Sequence, residues 1–149
     1  MKALVVYDSA TGNTEKIAQA IGEAIEGEVK VLRAGEVNPA DLKSLDVLIV
    51  GCPTYGGRPT PVMREFLSKV SRGDISGIKV ATFDTRMAAK FVKIFGFAAG
   101  RIAKSLKGKG ANVIGTAEGF IVIGGKGPLK DGELERATAW AKGIVESKQ

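Results

Sequence analysis

Lys2-Ala3-Leu4-Val5-Val6-Tyr7-Asp8-Ser9-Ala10-Thr11-Gly12-Asn13-Thr14 stands at the start of the chain, and its two halves have opposite characters. Lys2 to Tyr7 is a short, nearly continuous apolar run, the pattern of a strand buried on both faces. Asp8 to Thr14 is dense in hydroxyls and leads into Asn13 to Glu26. That stretch reads as a helix, with Ile17, Ile21 and Ile25 recurring every four residues on one face. A buried strand, a polar turn and an amphipathic helix in 25 residues are the first half of a βαβ unit.

The alternation continues along the chain. Glu28 to Arg33 alternates like a strand, and Val47 to Val50 is fully apolar and stops at Gly51. Pro59 or Pro61 opens the next helix, since the first turn tolerates a missing N–H; Met63, Phe66, Leu67 and Val70 form its apolar stripe. Ile78 to Phe83 is the fourth strand. A helix within Phe91 to Lys107 buries Ile94, Ala98, Ile102 and Leu106. Ala111 to Gly115 and Gly119 to Ile123 read as one last strand interrupted by a bulge or bend. The final helix starts near Asp131, an N-cap residue type, with Glu133 and Glu135 in its first turn and Leu134, Ala137, Ala141 and Ile144 as its buried stripe. The expected fold is α/β, a doubly wound five-stranded parallel sheet in the order 2-1-3-4-5, with residues 1–149 forming one domain.

Composition bounds the chemistry. The chain has 149 residues, 44% hydrophobic and 26% charged, ordinary values for a soluble protein. No apolar run approaches the roughly 18 residues that span a bilayer, and Asp8 interrupts the N-terminal apolar run before a signal peptide could form. A cytoplasmic location is the expectation. With no histidine, Ser-His-Asp and Cys-His catalysis and His-ligated metals are excluded together. Cys52, the one cysteine, forms no internal disulfide and reads as a small buried residue rather than a reactive thiol. Any chemistry is therefore expected to belong to a cofactor. The net charge of +6 favours an anionic ligand or partner.

In an open parallel sheet, ligands bind beyond the carboxyl ends of the strands at the switch point, here between strands 1 and 3. Three segments leave those ends: Asp8 to Thr14, Gly51 to Thr60, and Asp84 to Lys90. The first ends at a helix N-terminus, whose unpaired N–H groups suit a phosphate. Ser9, Thr11 and Thr14 add hydroxyl donors, Asn13 an amide, and Gly12 lets the backbone curl around the anion. A helix cap needs one such residue; this loop has four. It holds no lysine, so its donors are neutral, which suits a bound dianion better than a transferred phosphoryl group.

Ser9-x-Thr11-Gly12-Asn13-Thr14, in register directly after the first strand, resembles the FMN-phosphate loop of the flavodoxin family, and the resemblance extends over the whole chain. It implies FMN as cofactor and electron transfer as function, with Ser9, Ala10, Thr11, Gly12, Asn13 and Thr14 around the phosphate. It also implies that Pro53, Thr54, Tyr55, Gly56 and Gly57 run along the edge and one face of the flavin ring, with Tyr55 stacked on it. In the family a peptide comparable to Gly56-Gly57 rearranges on reduction and donates a hydrogen bond to the flavin. Backbone groups of Asp84, Thr85 and Arg86 would meet the pyrimidine edge. Here the sequence departs from electron-transfer members that carry an aromatic and acidic residues: the first aromatic after Phe83 is Phe91. Between Thr85 and Ala117 there is no acidic residue but seven basic ones: Arg86, Lys90, Lys93, Arg101, Lys104, Lys107 and Lys109.

Arg86 and Lys90 are thus expected near the flavin mouth, raising the potential of the last reduction step relative to acidic family members. A basic mouth favours a redox partner protein with an acidic docking surface, or a small anionic or quinone-like substrate. Three functions stay open: a one-electron carrier, a small FMN-dependent NAD(P)H or quinone-type oxidoreductase, and a degenerate binding module without flavin. A receiver domain would need an aspartate where Gly51-Cys52 ends strand 3. A low-molecular-weight tyrosine phosphatase would need a cysteine in the first loop, and neither a Walker A lysine nor G-x-G-x-x-G opens the first helix. The phenylalanines in the basic run have core-like spacing and match no nucleic-acid module, so no nucleic-acid partner is expected. The sequence does not address oligomeric state.

Overall fold

The computed structural model describes residues 1–55, 57–88, 97–124 and 126–146. Gly56, Lys90, Phe91, Lys93 and Ile94, all used in the sequence reading, lie outside them. Strand β1 (Lys2–Tyr7) leads to helix α1 (Asn13–Ala24) and then to β2 (Glu28–Arg33). Two short 3-10 segments (Ala34–Glu36 and Pro39–Ser44) precede β3 (Val47–Pro53). Next come α2 (Pro61–Lys69), α3 (Arg72–Ile75), β4 (Lys79–Met87) and α4 (Ala98–Gly108). β5 (Asn112–Val113), β6 (Glu118–Val122) and α5 (Glu133–Glu146) complete the order.

The strands pair in parallel in the order β2-β1-β3-β4-β5, as the alternation of elements implied. The interrupted last strand is also present: β5 pairs with Lys79 and Val80 of β4, and β6 resumes along the same edge from Phe83 to Met87. Helices cover both faces. Met63, Phe66, Leu67, Ile102 and Leu106 of α2 and α4 pack on one face of the sheet. Ile17 and Ile21 of α1 and Ala137, Ala141 and Ile144 of α5 pack on the other.

Three boundaries differ from the sequence reading. β3 runs on to Pro53, so Gly51 and Cys52 lie inside a strand rather than in a loop. Gly51 is there for clearance: a Cβ would stand 2.3 Å from the Phe83 ring, which meets Phe120 and Trp140 edge-on at 6.1 Å each. β4 continues four residues past Phe83, because Asp84 and Thr85 pair with both β3 and β6, and Arg86 and Met87 pair with β6. The last helix starts at Glu133, and Gly132 rather than Asp131 accepts its first N–H, from Arg136. With that phase Glu133 faces inward, and Leu134, expected to be buried, is 42% exposed.

Candidate functional site

Parallel pairing of β1, β3 and β4 brings their carboxyl ends to one edge of the sheet, with Tyr7 opposite Gly51 and Pro53 opposite Thr85. The three segments leaving that edge are bonded to one another. Asp8 N–H donates to Gly51 O at 3.2 Å, and the Thr60 hydroxyl donates to the Asp8 carboxylate at 2.5 Å. Thr60 also accepts from Met63 N–H as the N-cap of α2. The Thr14 and Thr85 hydroxyls share a buried 2.8 Å hydrogen bond, and Thr54 N–H donates to Thr85 O at 3.1 Å.

The first segment curls as its residue types dictate. Gly12 is the N-cap of α1, in the left-handed region at φ 92°, and has no side chain to cap the helix. The loop's N–H groups converge on an oxygen: Ser9 Oγ accepts from Gly12 N–H at 3.0 Å and from Glu15 N–H at 3.4 Å. Asn13 Nδ2 donates to Thr11 Oγ1 at 3.2 Å and to the carbonyl of Lys126 at 3.3 Å. The Asn13 amide thus joins two loops. Ser9 Oγ thus takes two N–H groups at the start of α1, and neutral N–H and O–H donors at a helix N-terminus are of the kind that bind an anion.

In the second segment Tyr55 and Arg58 exchange N–H···O bonds of 2.9 Å each, closing a tight turn. Gly57 adopts φ 79°, and Tyr55 is 49% exposed. Arg101 of α4 donates through Nε to Gly57 O at 2.6 Å, a tie to the turn that local sequence does not reveal. Cys52 is buried, and burial pushes its thiol up to about 12, as expected of an inert cysteine.

The third segment corrects the sequence reading most. Asp84, Thr85 and Arg86 are strand residues, and Arg86 is no open cation. Its Nε and Nη2 form a fork on the fully buried Asp84 carboxylate at 2.7 and 2.8 Å. The guanidinium lies 3.4 Å from the Phe97 ring centroid and occupies the space a side chain on Gly119 would fill. Asp84 Oδ2 also accepts from Ala99 N–H in the first turn of α4, and Thr54 Oγ1 accepts from Ala98 N–H. Burial raises the Asp84 pKa, partly opposed by its bonds to Arg86. The charge expected at the mouth is therefore matched internally. An Asp-x-Arg at the end of a strand is visible in sequence, but not its direction.

The fold and the loops at its edge define the class: a doubly wound α/β protein with an uncharged, hydroxyl-rich loop at its switch point. The Flavodoxin family model matches residues 5–140. The chain belongs to the flavodoxin family and is an FMN-binding electron-transfer protein. It is 30% identical to a flavodoxin from Maridesulfovibrio salexigens over 97% of both chains. A flavodoxin from the domain Archaea superposes with a TM-score of 0.82 at 27% identity, covering 98% of this chain and 97% of that one. The solution structure of two-electron reduced Megasphaera elsdenii flavodoxin gives 0.72 at 27% identity, covering 93% and 97%. Among the described residues no helix is long and apolar enough to cross a membrane.

Proposed function

We propose that this flavodoxin is a one-electron carrier that docks acidic redox partners at the edge of the sheet where β1, β3 and β4 end. In this reading Ser9 to Thr14 hold the FMN phosphate, while Pro53 to Gly57 and the backbone of Asp84 to Arg86 flank the ring. FMN supplies the redox chemistry; the protein binds, orients and tunes it. The observation that carries the reading is the neutral, hydroxyl-rich loop turned by left-handed Gly12, tied by Thr14 to Thr85 and by Asp8 to Thr60.

Charge around that edge supports the choice of partner. Arg58 in the turn after β3, Arg64 in the first half of α2 and Arg101 in the first turn of α4 are exposed, and no acidic residue lies between Thr85 and Ala117. Such a surface attracts anions at long range, and the attraction weakens as salt screens it. The test is oxidation of the reduced, FMN-loaded protein by an anionic oxidant, ferricyanide, and a cationic one, hexaammineruthenium(III). The ferricyanide rate should fall with added salt and the ruthenium rate should rise. The reverse pattern would refute an acidic partner. Rapid direct oxidation of NAD(P)H without a partner would instead favour the oxidoreductase reading.

A further inference from the structure

A fourth segment, Ile123 to Lys130, leaves the sheet after β6 at the same edge. Its ends are held by Ile123 N–H donating to Pro128 O at 2.7 Å and Lys130 N–H donating to Ile121 O at 2.9 Å. Inside it, Lys126 O is the second acceptor of the Asn13 amide, across 113 residues of sequence. Gly127 packs so closely there that a Cβ on it would lie 2.4 Å from Asn13 Nδ2. The Lys126 backbone is thus fixed beside Thr11-Gly12-Asn13, while its side chain is exposed on a flexible four-carbon stem.

Arg33 is another cation on this loop, donating through Nη1 to Ser9 O at 3.5 Å. Its charge is already matched by Glu15, at 3.2 Å. Lys126 has no carboxylate partner among the described residues. A phosphate held in the Ser9–Thr14 loop would bring a dianion among neutral donors. Lys126 is a cation beside that loop with no ion-pair partner among the described residues, held there by the Asn13 bond to its backbone.

We propose that Lys126 is the counter-ion of the FMN phosphate, its ammonium closing over the mouth of the Ser9–Thr14 loop. This rests on the reading that the phosphate occupies that loop. A charge-assisted N–H···O bond at a partly exposed site is a modest effect, of order tenfold in affinity. It acts on the phosphate alone, so it adds to the loop's preference for FMN over riboflavin and leaves ring binding unchanged.

The experiment is titration of the apoprotein with FMN and, separately, with riboflavin, following flavin fluorescence at low and at physiological salt, for wild type, Lys126→Met and Lys126→Arg. Lys126→Met should weaken FMN binding roughly tenfold at low salt and less at physiological salt. Its riboflavin affinity should equal that of wild type, which also shows that the variant is folded, and Lys126→Arg should keep most of the FMN preference. If wild type prefers FMN strongly and Lys126→Met prefers it equally, Lys126 is not the counter-ion and the loop reading survives. If wild type binds the two flavins equally well, the phosphate is not recognised in the loop and both ideas fail.

Discussion

Asp84 and Arg86 sit two residues apart on β4, with side chains on the same face of the strand. A carboxylate buried there without its partner would be an uncompensated charge, so Arg86→Ala should lower stability by about 3 kcal/mol. Asp84→Asn combined with Arg86→Gln should recover part of that loss, because no bare charge then remains. Urea midpoints measure both; an unchanged midpoint for Arg86→Ala would show that the pair is not needed. The Asp84 carboxyl also has its pKa raised by burial, so the folded state holds that proton to higher pH than the unfolded chain, where aspartate titrates near 3.9. Its contribution to stability is largest below about pH 4 and is lost as pH rises through the folded value. Glu133 is the opposite case. Its bonds to Arg136, together with the Ile121 N–H, hold it below the usual carboxylate range despite some burial. Glu133 therefore stabilises the fold above the unfolded glutamate value, near 4.3, and this is lost as pH falls through the folded one. Stability measured against pH should lose part of its acid limb in Glu133→Gln. An acid limb identical to that of wild type would count against this assignment.

At the scale of elements, contacts between neighbours decide what each segment becomes. β3 passes through Gly51 because Phe83 needs that space, and an added methyl would press on a ring held between Phe120 and Trp140. Gly51→Ala should destabilise the protein by about 1–3 kcal/mol, as overpacked cores do, and Phe83→Leu in the same chain should offset part of it. Thermal midpoints that fall further in the double variant than in Gly51→Ala would contradict this account. The Tyr55–Arg58 turn depends on a different element, α4, through the Arg101 bond to Gly57. Removing that tie leaves the turn to its own two bonds. In Arg101→Ala, amide exchange at Gly57 and Arg58 should therefore quicken while exchange in β3 stays as in wild type. Equal protection of the turn in Arg101→Ala and wild type would mean that the turn holds itself.

Across the whole molecule the charges are unevenly placed. Arg58, Arg64, Arg101, Lys104 and Lys107 gather on the side of α2 and α4, whereas Glu23, Glu26 and Glu135 line the groove between α1 and α5. The net +6 is thus carried mainly by one side, and interaction with an anionic partner should be orientation-dependent. Reversing charge with Arg58→Glu and Lys104→Glu together should slow oxidation by ferricyanide severalfold at low salt. The same charge change at Lys30→Glu and Lys43→Glu, on the β2 side, should slow it far less. Equal effects from the two pairs would indicate that only net charge matters.

Local chemistry determined the regular elements and the hydroxyl-rich loop after β1. Apolar runs of the right length make buried strands, isoleucines every fourth residue make a one-sided helix, and parallel alternation leaves few sheet orders. The hydroxyl-rich turn before α1 was legible because a loop ending at a helix start carries its chemistry in consecutive residues. The tertiary structure decided what depends on partners far along the chain. The extension of β4 required β6 beside it, and the inward turn of Glu133 in place of Leu134 required Arg136 and the Ile121 N–H. The matching of Arg86 by Asp84, the Arg101 tie to Gly57 and the approach of Lys126 to Asn13 are of the same kind. None leaves a periodic trace in sequence, because a hydrogen bond or ion pair between distant residues depends on where the folded backbone carries them, not on their spacing.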